Sequence, residues 1–203
     1  MRLILIVLLI ITGLGCKKQK QIDACGCNSV QTDAVENIPG IVVETDDGFE
    51  ILSDEKGLLL PCSELPAEFK KEGQPVTVSG TLKTSCKKIP YDFNITPIKI
   101  NSLKGRATAY DKTDITLSII KTKDYYPDAD GFGYFIEDTR TQPHFKINQT
   151  TKPAVPGTYG FCTMDHATIC AMAVIYIMRT RGGLPSMSVE MLDYLNIIDR
   201  CGD

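Results

Sequence analysis

Residues 40–53 read Gly-Ile-Val-Val-Glu-Thr-Asp-Asp-Gly-Phe-Glu-Ile-Leu-Ser, and they carry the strongest structural signal in the chain. Two strand-like runs flank Asp46-Asp47-Gly48. An Asp-Gly pair between such runs is typical of a β-hairpin, because both turn positions need positive φ. The stretch therefore predicts two antiparallel strands, 40–45 and 49–53.

The elements that follow this hairpin predict a small barrel. A third strand is expected over 58–62, and a helical turn or two over 64–71 has Pro66 in its first turn, where a missing N–H does little harm. Strands over 74–83 and 93–101 follow, the second with a bulge near Pro97. The order β-β-β-α-β-β is that of an OB-fold, so residues 37–103 are predicted to form an OB-like five-stranded β-barrel.

The second half, residues 107–199, predicts a small antiparallel sheet packed on an α-helix, after a boundary at Lys104-Gly105. Strands are expected over 115–120, 131–136 and 144–148. Thr163 is placed to cap a helix that Gly182-Gly183 ends, and Ser188 is placed to cap a short last helix. The fold class is α+β. The long helix is predicted to bury one apolar face, formed by Ala167, Cys170, Ala171, Val174, Ile177 and Met178.

Composition and charge narrow the function classes. The 203 residues are 43% hydrophobic and 23% charged, with a net charge of -3, which is ordinary globular composition. No basic excess points to nucleic acid, and the loops of the predicted barrel are acidic. Aromatic and Arg side chains do not alternate as in a single-strand binding platform. A nucleic-acid partner is therefore not expected, and a barrel that serves only as a spacer is an open alternative.

The N-terminus resembles the signal peptide of bacterial lipoproteins. A charged start, an aliphatic run over 3–12 and Gly13-Leu14-Gly15-Cys16 match the lipobox pattern, with Leu14 one place later than usual. The resemblance implies cleavage after residue 15 and acylation of Cys16. The resemblance also implies that residues 16–36 form a tether and that the protein is an outer-membrane lipoprotein of a Gram-negative envelope, held to the membrane by its lipid anchor. A plain secretory signal is the alternative.

The eight cysteines predict disulfides. With Cys16 reserved for lipid, seven remain in an oxidising compartment, so at least one has no partner within the chain. Cys62 paired with Cys86 is the first expectation, and a bond from either of them to Cys25 or Cys27 is the alternative. Cys170 falls within the predicted long helix and is expected to be a small core residue.

The second half also resembles an uncharacterised domain family of envelope lipoproteins. The matching stretches are Gly131-Phe-Gly-Tyr134, Gln149, Lys152-Pro-Ala-Val-Pro-Gly157, the Ala-rich helix and the segment from Leu184 to Glu190. The family pattern has Trp at the place of Phe132 and Ile at the place of Lys152. The first half is similar to small OB-like lipoprotein barrels. These resemblances imply a fold and an envelope location, and they imply no reaction.

Catalytic and metal chemistry have weak sequence support. Cys162 before a helix start, with His166 four residues on, is the arrangement of a thiol dyad, although a disulfide at Cys162 is the competing interpretation. Asp124, Asp128 and Asp130 form an oxygen-rich loop typical of calcium sites, but the closing Glu of an EF-hand is absent. We therefore expect no cofactor and no catalytic group.

A set of aromatic and proline residues is the predicted binding surface, because rigid side chains lose little entropy on binding. Its members are Tyr125, Tyr126, Phe132, Tyr134, Pro153, Pro156 and Tyr159. The sequence thus predicts a lipid-anchored, non-catalytic accessory or binding subunit of a cell-envelope assembly, with an envelope protein as partner. A glycan- or peptide-binding module and a thiol-dependent enzyme are the alternatives.

Overall fold

The computed structural model describes residues 26–86, 94–127, 130–153, 160–181 and 185–198. Five strands form the first half: β1 (Gln31–Thr45), β2 (Gly48–Ser53), β3 (Gly57–Pro61), β4 (Pro75–Lys83) and β5 (Ile95–Gly105). A 3-10 turn at Ala67–Phe69 precedes β4. They close into a barrel in the order β1-β2-β3-β5-β4, with β3 parallel to β5 and the other pairs antiparallel. This is the predicted OB-like barrel.

The second half forms a three-stranded sheet and two helices. Strands β6 (Ile115–Lys121), β7 (Phe132–Asp138) and β8 (Phe145–Gln149) make an antiparallel meander with β7 in the centre. Helices α1 (Met164–Arg181) and α2 (Val189–Tyr194) follow. The expected caps are confirmed: the Thr163 hydroxyl accepts from the His166 N–H at 3.0 Å, and Ser188 accepts from the Met191 N–H at 3.2 Å.

The barrel is larger at both ends than predicted. β1 begins at Gln31, inside the segment assigned to the tether, and β5 continues to Gly105. The early part of β1 pairs with β4 through two register shifts, and Asn37, at φ 51°, lies within the second, between Val35 and Ile38. The bulges bend β1, so that one strand pairs with β4 along most of its length and with β2 at its end. Residues 31–36 are mostly polar, so the hydrophobicity pattern did not predict a strand there.

Two details of the predicted strands are corrected. In the hairpin, Gly48 has φ 109° whereas neither Asp46 nor Asp47 has positive φ, so one glycine carries the left-handed position. The bulge in β5 does not lie at Pro97, where β3 and β5 pair in unbroken register. It lies near Asn101, since Ser79 pairs with Ser102 and Gly80 pairs with Ile100.

Both faces of the hairpin strands are buried, and the two faces belong to different clusters. One side of the sheet fills the barrel interior, where Val42, Ile51 and Leu59 lie. The other side joins a second cluster with α1 and the three-stranded sheet, and its members include Ile41, Val43, Leu52, Leu58 and Ile95. The apolar runs of β1, β2 and β3 are therefore continuous because neither side of these strands faces water.

Helix α1 lies between the barrel and the sheet and is buried nearly all round. Its residues from His166 to Met178 are buried, with Thr168 as the exception. Cys170 reaches Tyr134 of β7, whereas the backbone of Gly57 lies against the Tyr176 ring on the barrel side. The predicted apolar face is thus only one of two buried faces of α1, because the barrel covers the other side of the helix. A helix that is apolar all round is one that is buried all round.

Within the described ranges, no helix is both long and apolar enough to cross a bilayer.

Candidate functional site: a cleft between barrel and helix

The outer face of the hairpin strands is not open to ligand. OB-folds commonly bind oligonucleotides or oligosaccharides on the face of strands 2 and 3. Here α1 packs on that face, and Tyr194 of α2 lies with its hydroxyl 3.1 Å from Glu50 Oε1 and 3.2 Å from Asp47 Oδ2. A ligand on this face would have to displace a helix whose residues from His166 to Met178 are buried, apart from Thr168. This face therefore belongs to the core and not to a binding site.

The predicted aromatic and proline set does not form one surface. Tyr125 and Tyr126 are about half exposed, at 50% and 46%. Phe132 and Pro153 are partly buried, and Pro156 and Tyr159 lie outside the described residues. Tyr134, 1% exposed, belongs to the core: its hydroxyl is 3.8 Å from Cys170 Sγ, and burial raises its pKa well above the ordinary value. Its assignment to a binding surface was wrong.

The thiol dyad is also ruled out. Cys162 is disulfide-bonded, so it has no thiol to ionise. His166 is buried, and its Nε2 lies 3.1 Å from Glu72 Oε2 on the barrel side. The histidine therefore joins α1 to the loop before β4, a contact between residues 94 positions apart.

The disulfide pattern corrects the first expectation and selects the alternative. Cys62 is bonded to Cys27, with Cα atoms 5.3 Å apart, and not to Cys86, which is in a disulfide of its own. The Cys27–Cys62 bond ties the segment before β1 to the end of β3. Closing a loop of 35 residues stabilises the fold by about 4 kcal/mol on the chain-entropy model.

Cys170 is a free, buried cysteine, as expected for a core position in α1. Burial raises the pKa of its thiol to about 12, so it stays protonated.

Only part of the predicted calcium loop can be described, since Asp128 lies outside the described residues. Among the residues that the structure does describe, no group of three or more His, Cys, Asp or Glu side chains is arranged to bind a metal ion.

An open cleft of about 480 Å³ lies where three parts of the chain meet. The loop before β4, residues 71–75, forms one wall; residues 107–109 after β5 form another; and the first turns of α1 close the third side. The loop is fastened to the barrel, because the N–H of Gly73 donates to the Val42 carbonyl at 2.9 Å and the N–H of Val42 donates to the Gln74 carbonyl at 2.9 Å.

Gly73 brings this loop close to α1. Its φ is +74°, and a Cβ there would lie 2.3 Å from Asp165 Cγ. A side chain at this position would both strain the turn and collide with Asp165, so glycine allows the loop and the helix start to meet. The cleft wall thus depends on one residue type at one position.

The lining of the cleft is acidic and holds hydrogen-bond acceptors without partners. Three carboxylates and one ammonium line it, from Glu68, Glu72, Asp165 and Lys71. Glu72 Oε1 and Gln74 Oε1 are buried atoms that have no hydrogen-bond partner. Buried acceptors of this kind cost about 1–3 kcal/mol each. They lie below the surface, so the carboxylates of the lining decide what the cleft suits, which is a ligand that brings positive charge.

A second polar cluster lies at the other end of α1 and is structural. The Arg179 guanidinium contacts Asp54 Oδ2 at 3.0 Å, Asp114 Oδ2 at 2.7 Å and the Tyr110 hydroxyl at 2.7 Å. Lys112 Nζ lies 2.8 Å from Asp54 Oδ2, and Asp54 is fully buried. This Arg179 cluster joins the β2–β3 turn, the segment after β5 and the helix end, and its charges are used within the fold.

Burial and Arg179 act in opposite directions on the acids of this cluster. Burial opposes ionisation of Asp114, but the guanidinium beside it holds the pKa of the carboxyl below its usual range. Burial raises the pKa of Tyr110 to about 12, so its hydroxyl remains a donor.

Sequence reasoning missed the cleft residues because no local pattern marks them. Glu72-Gly73-Gln74-Pro75 has the composition of an ordinary loop before a strand. The one local signal was Asp165 in the first turn of a capped helix, which the helix dipole alone explains. The chain folds these two segments together across more than ninety residues.

No protein-family model matches the chain, and no curated protein is similar to it at a significant level. The resemblance to envelope lipoproteins therefore remains a prediction.

Proposed function

We propose that this protein is a lipid-anchored, non-catalytic binding subunit of a Gram-negative cell-envelope assembly, an outer-membrane lipoprotein held by an acylated Cys16. The observation that carries the proposal is the cleft: an open, acidic site of about 480 Å³, built from three separate parts of one fold. Its partner is a protein segment that carries Lys or Arg, because such a segment brings cations that form charge-assisted hydrogen bonds with carboxylates.

The cysteine chemistry supports an envelope location. Cys27 and Cys62 are bonded to each other, and Cys86 and Cys162 are in disulfides as well. Disulfides persist in oxidising compartments such as the periplasm and are rare in reducing ones. This agrees with the lipobox-like segment that ends at Cys16.

Two measurements test the anchor. Cells that express the parent chain or Cys16→Ala are grown with a fatty-acid probe and then fractionated. We expect the parent to carry the probe and to sediment with membranes, and we expect Cys16→Ala to lose both properties. An unlabelled parent that distributes like Cys16→Ala would end the lipoprotein assignment.

A crosslinking pull-down from intact envelope tests the cleft. The bait is the parent chain or the double variant Glu68→Gln/Asp165→Asn, which removes two negative charges with little change of shape. Partners captured by the parent are expected to be depleted at least several-fold with the variant. Glu64→Gln serves as the matched control, because Glu64 is an acid 88% exposed that forms a surface ion pair with Lys70. Equal capture by all three baits would overturn the assignment of the cleft.

A glycan- or peptide-binding module is the second candidate, and exposed Tyr125 and Tyr126 favour it. Two neighbouring tyrosines with half-exposed rings suit stacking on a sugar or on a peptide side chain. Glycan arrays and titration with envelope polysaccharides test this candidate. Binding that survives in Glu68→Gln/Asp165→Asn but is lost in Tyr125→Ala would assign the function to the tyrosines.

A further inference from the structure

The segment just before β1 is fastened to one end of the barrel. The N–H of Gly26 donates to the Thr84 carbonyl at 2.6 Å, and the N–H of Thr84 donates to the Ser29 hydroxyl at 2.9 Å. The Cys27–Cys62 disulfide holds the same segment to the end of β3. Any chain that leads from Cys16 therefore meets a fixed body at Gly26, and not near residue 37 where the sequence pattern placed the end of the tether.

The cleft lies at the opposite end of β4. Gln31 pairs with Lys83 at the end of this strand that the fastened segment contacts, whereas the cleft is lined by Pro75 at its beginning. Eight residue steps separate Lys83 from Pro75, which is about 26 Å at strand spacing. Attachment point and cleft are thus separated by most of the length of the barrel.

The length of chain available for attachment is short in comparison. Ten residue steps lead from Cys16 to Gly26, so they span at most about 35 Å. If the cleft faced the bilayer, Gly26 would stand up to about 26 Å above it, and the ten residue steps would have to be stretched over much of their reach. If Gly26 faced the bilayer, no such stretch would be needed, and the entropic cost of stretching a chain favours the second orientation.

We infer that the anchored protein presents the cleft away from the bilayer, to a protein partner in the aqueous space and not to lipid headgroups. This inference rests on the anchor at Cys16 named under the proposed function. It adds the direction from which the partner arrives. A partner with a basic segment is also the occupant that the acidic lining fits, since anionic headgroups would be repelled.

The test uses the folded chain without residues 1–15, coupled at Cys16 to a maleimide phospholipid and bound to vesicles that contain an acceptor-labelled lipid. Mass spectrometry checks the coupling site. A donor fluorophore is placed through an encoded azide residue at Gln31 or at Glu68, which are both exposed and lie near opposite ends of β4. Energy transfer to the bilayer is expected to be high from position 31 and to fall at position 68.

A variant with a longer tether is the matched control. Inserting about twenty Gly and Ser residues after Lys20 removes the length limit, so the difference between the two positions is expected to shrink. Equal energy transfer from both positions in the chain without the insertion, or stronger energy transfer from position 68, would overturn the inference. Because the lipid is attached chemically, this result does not depend on whether cells acylate Cys16, which the fatty-acid labelling decides separately.

Discussion

Gly57 shows at the scale of one residue how closely the helix lies against the barrel. Its φ is +74°, and a Cβ there would lie 2.7 Å from the Asn94 carbonyl oxygen and 3.0 Å from the Tyr176 ring. Backbone on one side and a buried ring on the other leave no room for relaxation. Gly48 in the hairpin also has positive φ, at 109°, but a Cβ there would have nothing within 4 Å.

The two glycines therefore form a matched pair for mutation. We expect Gly57→Ala to lower the free energy of unfolding by about 2–4 kcal/mol, because strain and collision add. Gly48→Ala is expected to lower it by about 1 kcal/mol, from backbone strain alone. Urea denaturation followed by circular dichroism measures both. Equal losses in the two variants would show that Tyr176 packs less closely against the barrel than the distances at Gly57 indicate.

Asp114 predicts a pH dependence with a defined sign. Burial disfavours its charged form, but Arg179 holds its folded-state pKa below the ordinary value of 3.8. A carboxyl with a lowered pKa stabilises the fold above the unfolded-state pKa, and that stabilisation is lost as the pH falls through the folded-state pKa. The difference in stability between the parent and Asp114→Asn is therefore expected to be full near pH 6 and to shrink below about pH 4.

Chemical denaturation between pH 2.5 and pH 7 measures that difference. Glu64→Gln is the control, because Glu64 is an exposed carboxyl that forms a surface ion pair with Lys70. A stability difference between the parent and Asp114→Asn that stays constant down to pH 2.5 would contradict the ion pair with Arg179.

At the scale of elements, helix α1 was half predicted. The Thr163 cap and the sheet-side face that includes Cys170 follow from local chemistry, and the structure confirms them, as it confirms the Ser188 cap of α2. The barrel-side face was missed, because the prediction treated α1 as a surface helix with one apolar side. Ile169, Met172 and Tyr176 are apolar at positions where such a helix would carry polar residues, and all three are buried. The same signal was present in the strands, where 41–43 and 58–60 are apolar without alternation.

The reactivity of the Cys170 thiol is a measure of how well α1 is buried. Its side chain is fully buried and burial raises its thiol pKa to about 12, so we expect no alkylation by iodoacetamide in the native protein. Alkylation is expected to appear only as denaturant unfolds the chain. Peptide mass spectrometry locates the modified residue and follows its rate. Native-state alkylation at the unfolded-state rate would mean that α1 opens freely from its place between barrel and sheet.

At the scale of the whole molecule, the Arg179 cluster links three parts that the sequence treats as separate. Arg179 belongs to α1, Asp54 to the β2–β3 turn and Asp114 to the segment after β5. No spacing rule connects residues 54, 114 and 179, so this cluster could not be predicted from the sequence. The cleft at the other end of α1 is built in the same non-local way, from residues 72 and 165.

Removing Arg179 should loosen all three parts together. Arg179→Met leaves the fully buried Asp54 carboxylate with Lys112 as its remaining cation, so we expect a loss of about 2–4 kcal/mol. Lys146→Met, at an exposed surface pair with Glu137, is expected to change stability by less than about 0.5 kcal/mol. Thermal and urea unfolding compare the two. A loss in Arg179→Met no larger than in Lys146→Met would show that the cluster adds no stability.

The shared core predicts that the barrel is not independent of α1. Residues 26–105 alone would expose the face that includes Ile41, Val43, Leu52 and Leu58, all of them buried in the whole chain. An apolar patch of this kind drives association. We expect the fragment to bind a hydrophobic dye and to self-associate in sedimentation experiments, and we expect Val43→Lys/Leu52→Lys to reduce both. A monomeric fragment that binds no dye would indicate two independent domains.

The position of α1 in the chain also sets the order in which the parts become available to fold. The barrel is complete at Gly105, whereas the helix that covers it begins at Met164. On the proposed function the polypeptide enters the envelope from its N-terminus, so the first half arrives with an apolar side that has no native cover. The factors that receive the polypeptide there must shield this side until the last third has followed.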